Sequence, residues 1–340
     1  MKKVLVTGGS GYIGSHTVVE LIKSGFEVIV IDSLVNSSVK SIDGVEKITA
    51  VRPMFYKIDL ANKVELEKVF EQNPDISSIL HFAALKAVGE SSEKPLLYYK
   101  NNLISIINLL EIIQKKSLNI NFIFSSSCTV YGVPKYLPID EQHPFGQHFS
   151  TYGYTKQISE NILQDFSKIC STIKTISLRY FNPIGAHPSG LIGESPLVPY
   201  NLIPILAQTA SGKRQKMFVF GNDYDTPDGT CIRDYIHVVD LAKAHICALK
   251  YMIESPDVNS YDYFNLGVGK GYTVLEVIET FKKVSDKQIN YEITERRFGD
   301  IPAAYANPQK ANKILNWHAE QTLEEMLYSA WLWESKNRYY

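Results

Sequence analysis

Three glycines at three-residue spacing, Gly8, Gly11 and Gly14, follow directly on the apolar run "KKVLVT" and lead into "SHTVVELIKSGF", which has helical spacing. A chain built this way must turn from a strand into a helix through a loop almost free of side chains. Glycine permits the tight turn, lets backbone N–H groups approach an anion, and allows the helix to pack closely on the strand. Gly25 stops the helix, and a second apolar run, "EVIVIDSL", carries an acid, Asp32, at its end. That is a βαβ unit of about 30 residues. The spacing GxxGxxG departs from the GxGxxG fingerprint of many dehydrogenases. The order strand, loop, helix, strand, acid nevertheless predicts a dinucleotide site, with the pyrophosphate at the helix N-terminus. Asp32 in that place accepts hydrogen bonds from ribose hydroxyls and repels a 2'-phosphate, which favours NAD over NADP.

Further strand-like runs at "ISSILHFAA" and "NINFIFSSS" alternate with helical segments over 63–72 and 95–116. Strands alternating with helices predict an α/β fold, a Rossmann-type doubly wound parallel sheet. "TIKTISLRYFNPIG" reads as its sixth strand and runs into a Pro/Gly segment from Asn182 to Pro199, where the character of the chain changes. A length of 340 residues suits two folding units. The expected division is an NAD-binding domain over 1–180 and a smaller C-terminal substrate-binding lobe over 181–340. Residues 233–252 are expected to return to the first domain as a strand and a helix. Within the second lobe a helix is expected over 201–211, followed by the polar loop "GNDYDTPDGT".

The formal net charge is -1, from 35 basic and 36 acidic residues without runs of one sign, and gives no footprint for nucleic acid or an anionic membrane. A small-molecule partner is the expectation. The apolar start stops at Val6, and no apolar run approaches the ~18 residues of a membrane span. It reads as the first buried strand of a soluble protein. Cys128, Cys170, Cys231 and Cys247 form no CxxC pair, which points to a reducing compartment, the cytoplasm. His81, His187, His237 and His245 have no metal-ligand spacing, so they read as structural or surface residues and no metal is expected.

Chemistry concentrates in two later segments. "FSSSCTVYG" ends a central strand, so Ser127 falls at the carboxyl edge of the sheet, where open α/β folds bind ligands. Serines here also serve simply to satisfy a strand end. About 25 residues on, "STYGYTK" offers two tyrosines and a lysine. Apolar residues at 158, 162, 163, 166 and 169 mark a helix, so Tyr152 and Lys156 share a face at i and i+4, while Tyr154 looks elsewhere. A tyrosine titrates near ~10 and is a poor base at neutral pH. A lysine ammonium and a positive nicotinamide ring beside it are expected to favour the phenolate, and a depression of a few units brings it into working range.

The match of "VTGGSGYIGSHT", "HFAALKAVGES", "YYKNN", "FSSSCTVYG", "RYFNPIGAHPSG", "FGNDYDTPDGTCIRDYIHVVDLA" and "RRFGDIPAAYANP" covers essentially the whole chain. On these motifs the sequence resembles the extended short-chain dehydrogenase/reductase family, and within it the members that epimerise UDP-hexoses at C4. The resemblance implies a tightly held NAD regenerated in each cycle. Tyr152 takes the proton of the sugar 4-hydroxyl while hydride leaves C4, the 4-keto sugar turns over about its diphosphate linkage, and hydride returns to its other face. Ser127 hydrogen-bonds the sugar oxygen, and Lys156 binds the nicotinamide ribose and lowers the tyrosine pKa. Such a site holds UDP firmly and the hexose loosely.

Cofactor contacts implied by the resemblance are Tyr12 and Ile13 in the glycine loop, then Asp32, Ser33, Leu34, Asn36 and Ser37 after the second strand. Asp59 and Leu60 fall at adenine, and Phe82, Ala83, Ala84, Lys86, Asn101 and Phe181 complete the set. The uridine diphosphate falls to Asn182, Asn201, Leu202, Phe220, Arg233, Tyr235, Arg297 and Asp300, with Lys86 near the substrate as well. Two guanidinium forks suit a diphosphate. Relatives that remove water or carbon dioxide carry acids just after the strand-end serine or threonine, where this chain has Cys128 and Thr129, and dehydration is disfavoured. Ala304 stands where some members have a tyrosine beside the sugar 2-substituent, so UDP-N-acetylglucosamine and UDP-N-acetylgalactosamine are expected substrates too. The family is often homodimeric through helices near 95–116 and 152–170. Two rival readings are an epimerase restricted to N-acetylhexosamines or uronic acids, and an idle NAD-sensing protein, which has no need of Ser127, Tyr152 and Lys156 together.

Overall fold

The computed structural model describes residues 2–196, 198–255, 260–297 and 299–336. Strand and helix alternate through β1 Lys3–Thr7, α1 Tyr12–Lys23, β2 Glu27–Asp32, α2 Lys40–Thr49, β3 Met54–Lys57 and α3 Lys63–Gln72. The alternation continues with β4 Ile76–His81, α4 Val88–Glu93, α5 Pro95–Lys115, β5 Ile120–Ser127, α6 Thr151–Ile169 and β6 Ile173–Tyr180. Beyond it come β7 Asn182–Ile184, α7 Leu202–Ala210, β8 Met217–Phe220, β9 Ile232–His237, α8 Val238–Glu254 and β10 Tyr261–Leu266. The last elements are β11 Gly271–Thr273, α9 Val274–Ser285, β12 Tyr291–Thr294, β13 Ala303–Ala304, α10 Gln309–Ile314 and α11 Leu323–Lys336.

A seven-stranded parallel sheet runs in the order β10-β6-β5-β4-β1-β2-β3. Alternation along β1 explains why it is covered on both faces. Val4 and Val6 share a core with Val18 of α1 and Leu241 of α8, while Leu5 shares the opposite core with Leu66 of α3, Leu109 of α5 and Leu163 of α6. Each such fully buried side chain contributes roughly 1.5–3 kcal/mol. The strand order reverses between β1 and β4, and the crevice for a ligand opens at the carboxyl ends of the strands there.

Sheet membership in the second half differs from the expectation. After β6 the chain switches sheets across Phe181, and β7 pairs with β9 in a small sheet that also holds β11 and β13. The strand of segment 233–252 therefore stays out of the large sheet. Only its helix α8 returns, packing on α1, and the strand that extends the large sheet is β10, paired with β6 along all six residues. The edge of β6 can accept one parallel neighbour, and β10 has it. A third core of Ile203, Leu206, Val277, Phe281 and Leu327 lies under the small sheet.

His81, His187, His237 and His245 are buried rather than superficial. His81 Nδ1 lies 2.8 Å from Thr7 Oγ1, His245 Nε2 2.5 Å from the Tyr180 hydroxyl, and His237 Nδ1 accepts from Val239 N–H at 3.1 Å. Burial holds His16 and His81 down to about 3, and His187, His237 and His245 down to about 4. An unfolded histidine titrates near ~6.5, so below that pH the unfolded chain takes up protons that the fold refuses. The melting temperature is expected to be level above pH 7 and to fall steeply toward pH 5, with roughly 1 kcal/mol lost per pH unit per histidine. A scanning calorimetry series across that window checks it, and a flat profile would mean that these rings are charged in the fold.

Candidate active site

The glycine loop carries the first part of the site. Gly8 has φ +69°, and a Cβ there would lie 2.7 Å from the Ala83 nitrogen, while one on Gly14 would lie 2.3 Å from the Gly8 carbonyl oxygen. The loop thus fits between β1, β4 and α1 only without side chains. The N-terminus of α1 has no side-chain cap and no acid in its first turn, and the buried Ser10 hydroxyl has no partner among the described residues. Unfilled donors at a helix N-terminus are what a pyrophosphate requires, so the loop fits a dinucleotide. Tyr12 and Ile13 lie half-buried at the start of α1, with the Tyr12 hydroxyl donating to the Gly185 carbonyl at 2.6 Å.

Asp32 ends β2 almost buried, and its carboxylate already accepts from Ser10 N–H at 3.0 Å, Leu34 N–H at 2.9 Å and Ser37 Oγ at 2.7 Å. A carboxylate has about four acceptor positions, so one remains on Oδ2 for a ribose hydroxyl. Leu34 sits at φ 60°, a left-handed conformation that aims its N–H at Asp32. Ser33 is half-buried and Asn36 exposed beside it. Asp59 is exposed, its carboxylate capping the turn at Ala61 N–H, and Leu60 is buried with its carbonyl held by Asn108 Nδ2 at 2.8 Å. Phe82, Ala83 and Ala84 leave the end of β4 half-buried beside the loop, and Asn101 is half-buried on α5.

Tyr152 and Lys156 stand one turn apart on α6, the ammonium nitrogen 5.8 Å from the phenol ring centre. Lys156 is 3% exposed, and its Nζ donates to the Ser125 carbonyl of β5 at 2.5 Å. Ser127 ends that strand, its hydroxyl facing Tyr152. Tyr154 turns the other way and stacks on His148 at 4.1 Å. The electrostatics differ from the expectation. Burial raises the Tyr152 phenol to about 12 against the lowering hydrogen bond of Ser127, and burial lowers Lys156 to about 7 against the raising effect of Glu160. Desolvation disfavours both charged forms, and at this spacing the lysine does not outweigh it. The chain alone therefore keeps the phenol protonated at neutral pH.

Across the crevice, residues far apart in sequence converge. Arg297 grips Asp300 with Nη2 at 2.7 Å and Nε at 3.2 Å, and Arg233 reaches the same carboxylate at 3.6 Å. Arg297 also lies 5.6 Å from the exposed ring of Phe220. Two guanidinium groups against one carboxylate leave net positive charge beside an open aromatic face, a surface suited to a nucleoside diphosphate. Asn182 Nδ2 donates to the Asp234 carbonyl at 2.9 Å. Lys86 and Asn201 meet on Glu194, at 2.9 and 3.3 Å, with half-buried Leu202 beginning α7 next to them. Tyr235 and Phe181 are each only 4% exposed and belong to the cores, so either reaches a ligand only by a ring edge. Ala304 packs in a cluster with Tyr131, Phe181 and the half-buried Cys128, next to Ser127.

Several residues that shape the site carry no local sequence signal. Glu194 joins Lys86 to Asn201. Asn102 bonds Leu85 N–H at 2.9 Å and Thr155 Oγ1 at 3.1 Å, which pins the loop after β4 to α6 beside Lys156. The buried Asp234, raised to about 6 by desolvation, accepts from Val268, Gly269 and Ala306 N–H groups and ties the strand of Ala304 to that of Arg233.

A family model described as GDP-mannose 4,6 dehydratase matches residues 5–330. The UDP-glucose 4-epimerase of Bacillus subtilis is 49% identical over 335 residues, 98% of this chain and 97% of that protein. The crystal structure of UDP-glucose 4-epimerase from Bifidobacterium longum, in complex with NAD+ and UDP, superposes with a TM-score of 0.94 at 46% identity and covers 99% of both chains. The UDP-Glc/GlcNAc 4-epimerase of Campylobacter jejuni superposes with a TM-score of 0.85 at 38% identity, over 99% of this chain and 100% of that one. The glycine loop, the Tyr152–Lys156 pair and the full-length match lead to one assignment: the chain belongs to the UDP-glucose 4-epimerases of the extended short-chain dehydrogenase/reductase family.

Proposed function

We propose that the protein interconverts UDP-glucose and UDP-galactose by NAD-dependent inversion at C4. The observation that carries this reading is the meeting of Ser127, Tyr152 and Lys156 at the carboxyl edge of the sheet, where the order of strands reverses and the glycine loop opens. Gly8, Gly11 and Gly14 with the N-terminus of α1 would hold the pyrophosphate of NAD, Asp32 a ribose, and Lys156 the nicotinamide ribose. When bound, NAD supplies a reversible two-electron acceptor and, in its oxidised form, positive charge beside the phenol.

The chain's own residues move the proton. Tyr152 Oη takes it from the sugar 4-hydroxyl and returns it to the same oxygen once the sugar has turned, while the Ser127 hydroxyl donates to the sugar oxygen as charge develops there. Lys156 opposes the negative charge left on Tyr152. Arg233 and Arg297 hold the diphosphate, and Phe220 offers its face to the uracil, so UDP stays fixed while the hexose turns. Dehydration has no acid to drive it: Cys128, held up to about 12 by burial, and Thr129 occupy the places where a carboxyl group would serve.

The small Ala304 beside Cys128 and Phe181 favours a second reading of the same site, in which N-acetylhexosamines are also substrates. Catalysis on UDP-glucose alone would need no such room. Incubating the purified protein with UDP-galactose and, separately, with UDP-N-acetylgalactosamine is expected to give UDP-glucose and UDP-N-acetylglucosamine. Failure of the first conversion sinks the main reading, and failure of the second alone restricts it to hexoses. Among the described residues no helix is long and apolar enough to cross a membrane. The four free cysteines favour a reducing compartment, and we place the enzyme in the cytoplasm, as a homodimer in which α5 and α6, which pack together and leave Leu97, Ile107 and Ile169 exposed, pair with their counterparts.

A further inference from the structure

The site has a third link between β5 and α6 besides Ser127 with Tyr152 and the Ser125 carbonyl with Lys156. One turn after Lys156 on the same helix, the buried carboxylate of Glu160 accepts from Ser126 Oγ at 2.5 Å. The same carboxylate takes one edge of the Arg179 guanidinium, with Nε at 3.0 Å on Oε1 and Nη2 at 2.6 Å on Oε2, and the Tyr261 hydroxyl at 3.1 Å. Arg179, 3% exposed on β6, is held in turn by the Tyr131 hydroxyl at 2.8 Å and the face of Tyr263 at 4.0 Å. A buried carboxylate with every oxygen engaged is rigid, and it is an awkward choice for stability alone. Well-packed apolar residues usually serve as well or better than a buried ion pair. Here the pair joins three strands of the sheet to the helix that carries the reacting phenol.

We propose that Glu160 is a positioning residue for the proton transfer: through Ser126 it locks the serine-bearing end of β5 against α6, and it presents a carboxylate to the Lys156 ammonium one turn away. The inference rests on the epimerase reading above. Its electrostatic half follows from the surroundings of Lys156. Glu160 and Tyr152 face it from α6, neutral His81 from β4, and the Ser125 carbonyl from β5. Of these, Glu160 is the group that raises the lysine against burial. Without that charge the amine loses its proton at lower pH, and the phenol loses a nearby cation.

Two variants separate the two halves in the NAD-loaded enzyme. Glu160→Gln keeps the shape and removes the charge, and Ser126→Ala cuts the strand link and leaves the ion pair intact. Lysine-selective carbon NMR, with the Lys156 signal assigned by its loss in Lys156→Met, follows the titration of that amine independently of turnover. Glu160→Gln is expected to move the Lys156 midpoint down by about one pH unit and to pull the alkaline limb of kcat with it. Ser126→Ala is expected to lower kcat about tenfold with KM for UDP-galactose within about twofold, and to leave the Lys156 midpoint in place. Circular dichroism establishes that each variant is folded. An unmoved Lys156 midpoint in Glu160→Gln, or an unchanged kcat in Ser126→Ala, overturns the proposal. A parent protein without epimerase activity sinks the functional reading instead, and the lysine titration still decides this one.

Discussion

Replacing Tyr152 with phenylalanine is expected to lower kcat by about 10^2 to 10^4-fold, the usual contribution of a positioned acid/base group. The bound NAD and the KM for UDP-galactose should change by less than about threefold, because the ring and its packing on α6 survive and only the hydroxyl is lost. The size of the effect follows from how few alternatives the site offers. Ser127 is a hydroxyl without a base of its own, Cys128 is held up to about 12, and the Lys156 amine already donates to the Ser125 carbonyl. Because burial also lifts the Tyr152 phenol to about 12, the parent needs added positive charge near Tyr152 to work at neutral pH. Its kcat should therefore rise with pH on the acid side of neutrality, before Lys156, held down to about 7, loses its own proton, and in Tyr152→Phe that rise should vanish along with most of the rate. Coupled assays of UDP-glucose formation across the pH range measure both. A variant that keeps more than a tenth of the parent rate would assign the proton to another group.

What the sequence reveals of this site and what it hides divide along the range of the interactions. The βαβ unit is legible because everything it requires lies within one stretch: an apolar strand, glycines that only a side-chain-free loop can use, and an acid at the end of β2. Tyr152 stands out from Tyr154 by helical spacing alone, and the structure shows the second ring stacked on His148. Sheet membership is a long-range competition. β9 and β10 look alike as short strands of mixed apolar and polar residues, and only the free edge of β6 decides that β10 extends the large sheet. Glu160, Arg179, Asn102 and Asp234 read in sequence as ordinary polar residues, and their burial depends on partners drawn from distant segments. The direction of the Tyr152 shift was hidden for the same reason: spacing gives the neighbour but not the depth, and depth sets the larger effect.

Ala304→Tyr is expected to cut kcat/KM for UDP-N-acetylgalactosamine at least about 100-fold, equivalent to ~2.7 kcal/mol at the transition state, while UDP-galactose loses less than about tenfold. Ala304 is 6% exposed on the two-residue strand β13, paired with Arg233 of β9 and packed with Tyr131, Phe181 and Cys128. That cluster has no room for a phenol ring, and forcing one inside costs about 1–3 kcal/mol. A ring expelled from the cluster is expected to turn toward the crevice that leads to Ser127. A ring turned that way takes the volume an acetamido group would need and leaves a 2-hydroxyl untouched, so the loss should fall on one substrate. The comparison of the two sugars is the test, since both share the same UDP and the same C4 chemistry. Equal losses on both would mean that the tyrosine has disturbed the pairing of β13 with Arg233 and the bond from Ala306 N–H to Asp234, and that the space at Ala304 does not read the sugar at C2.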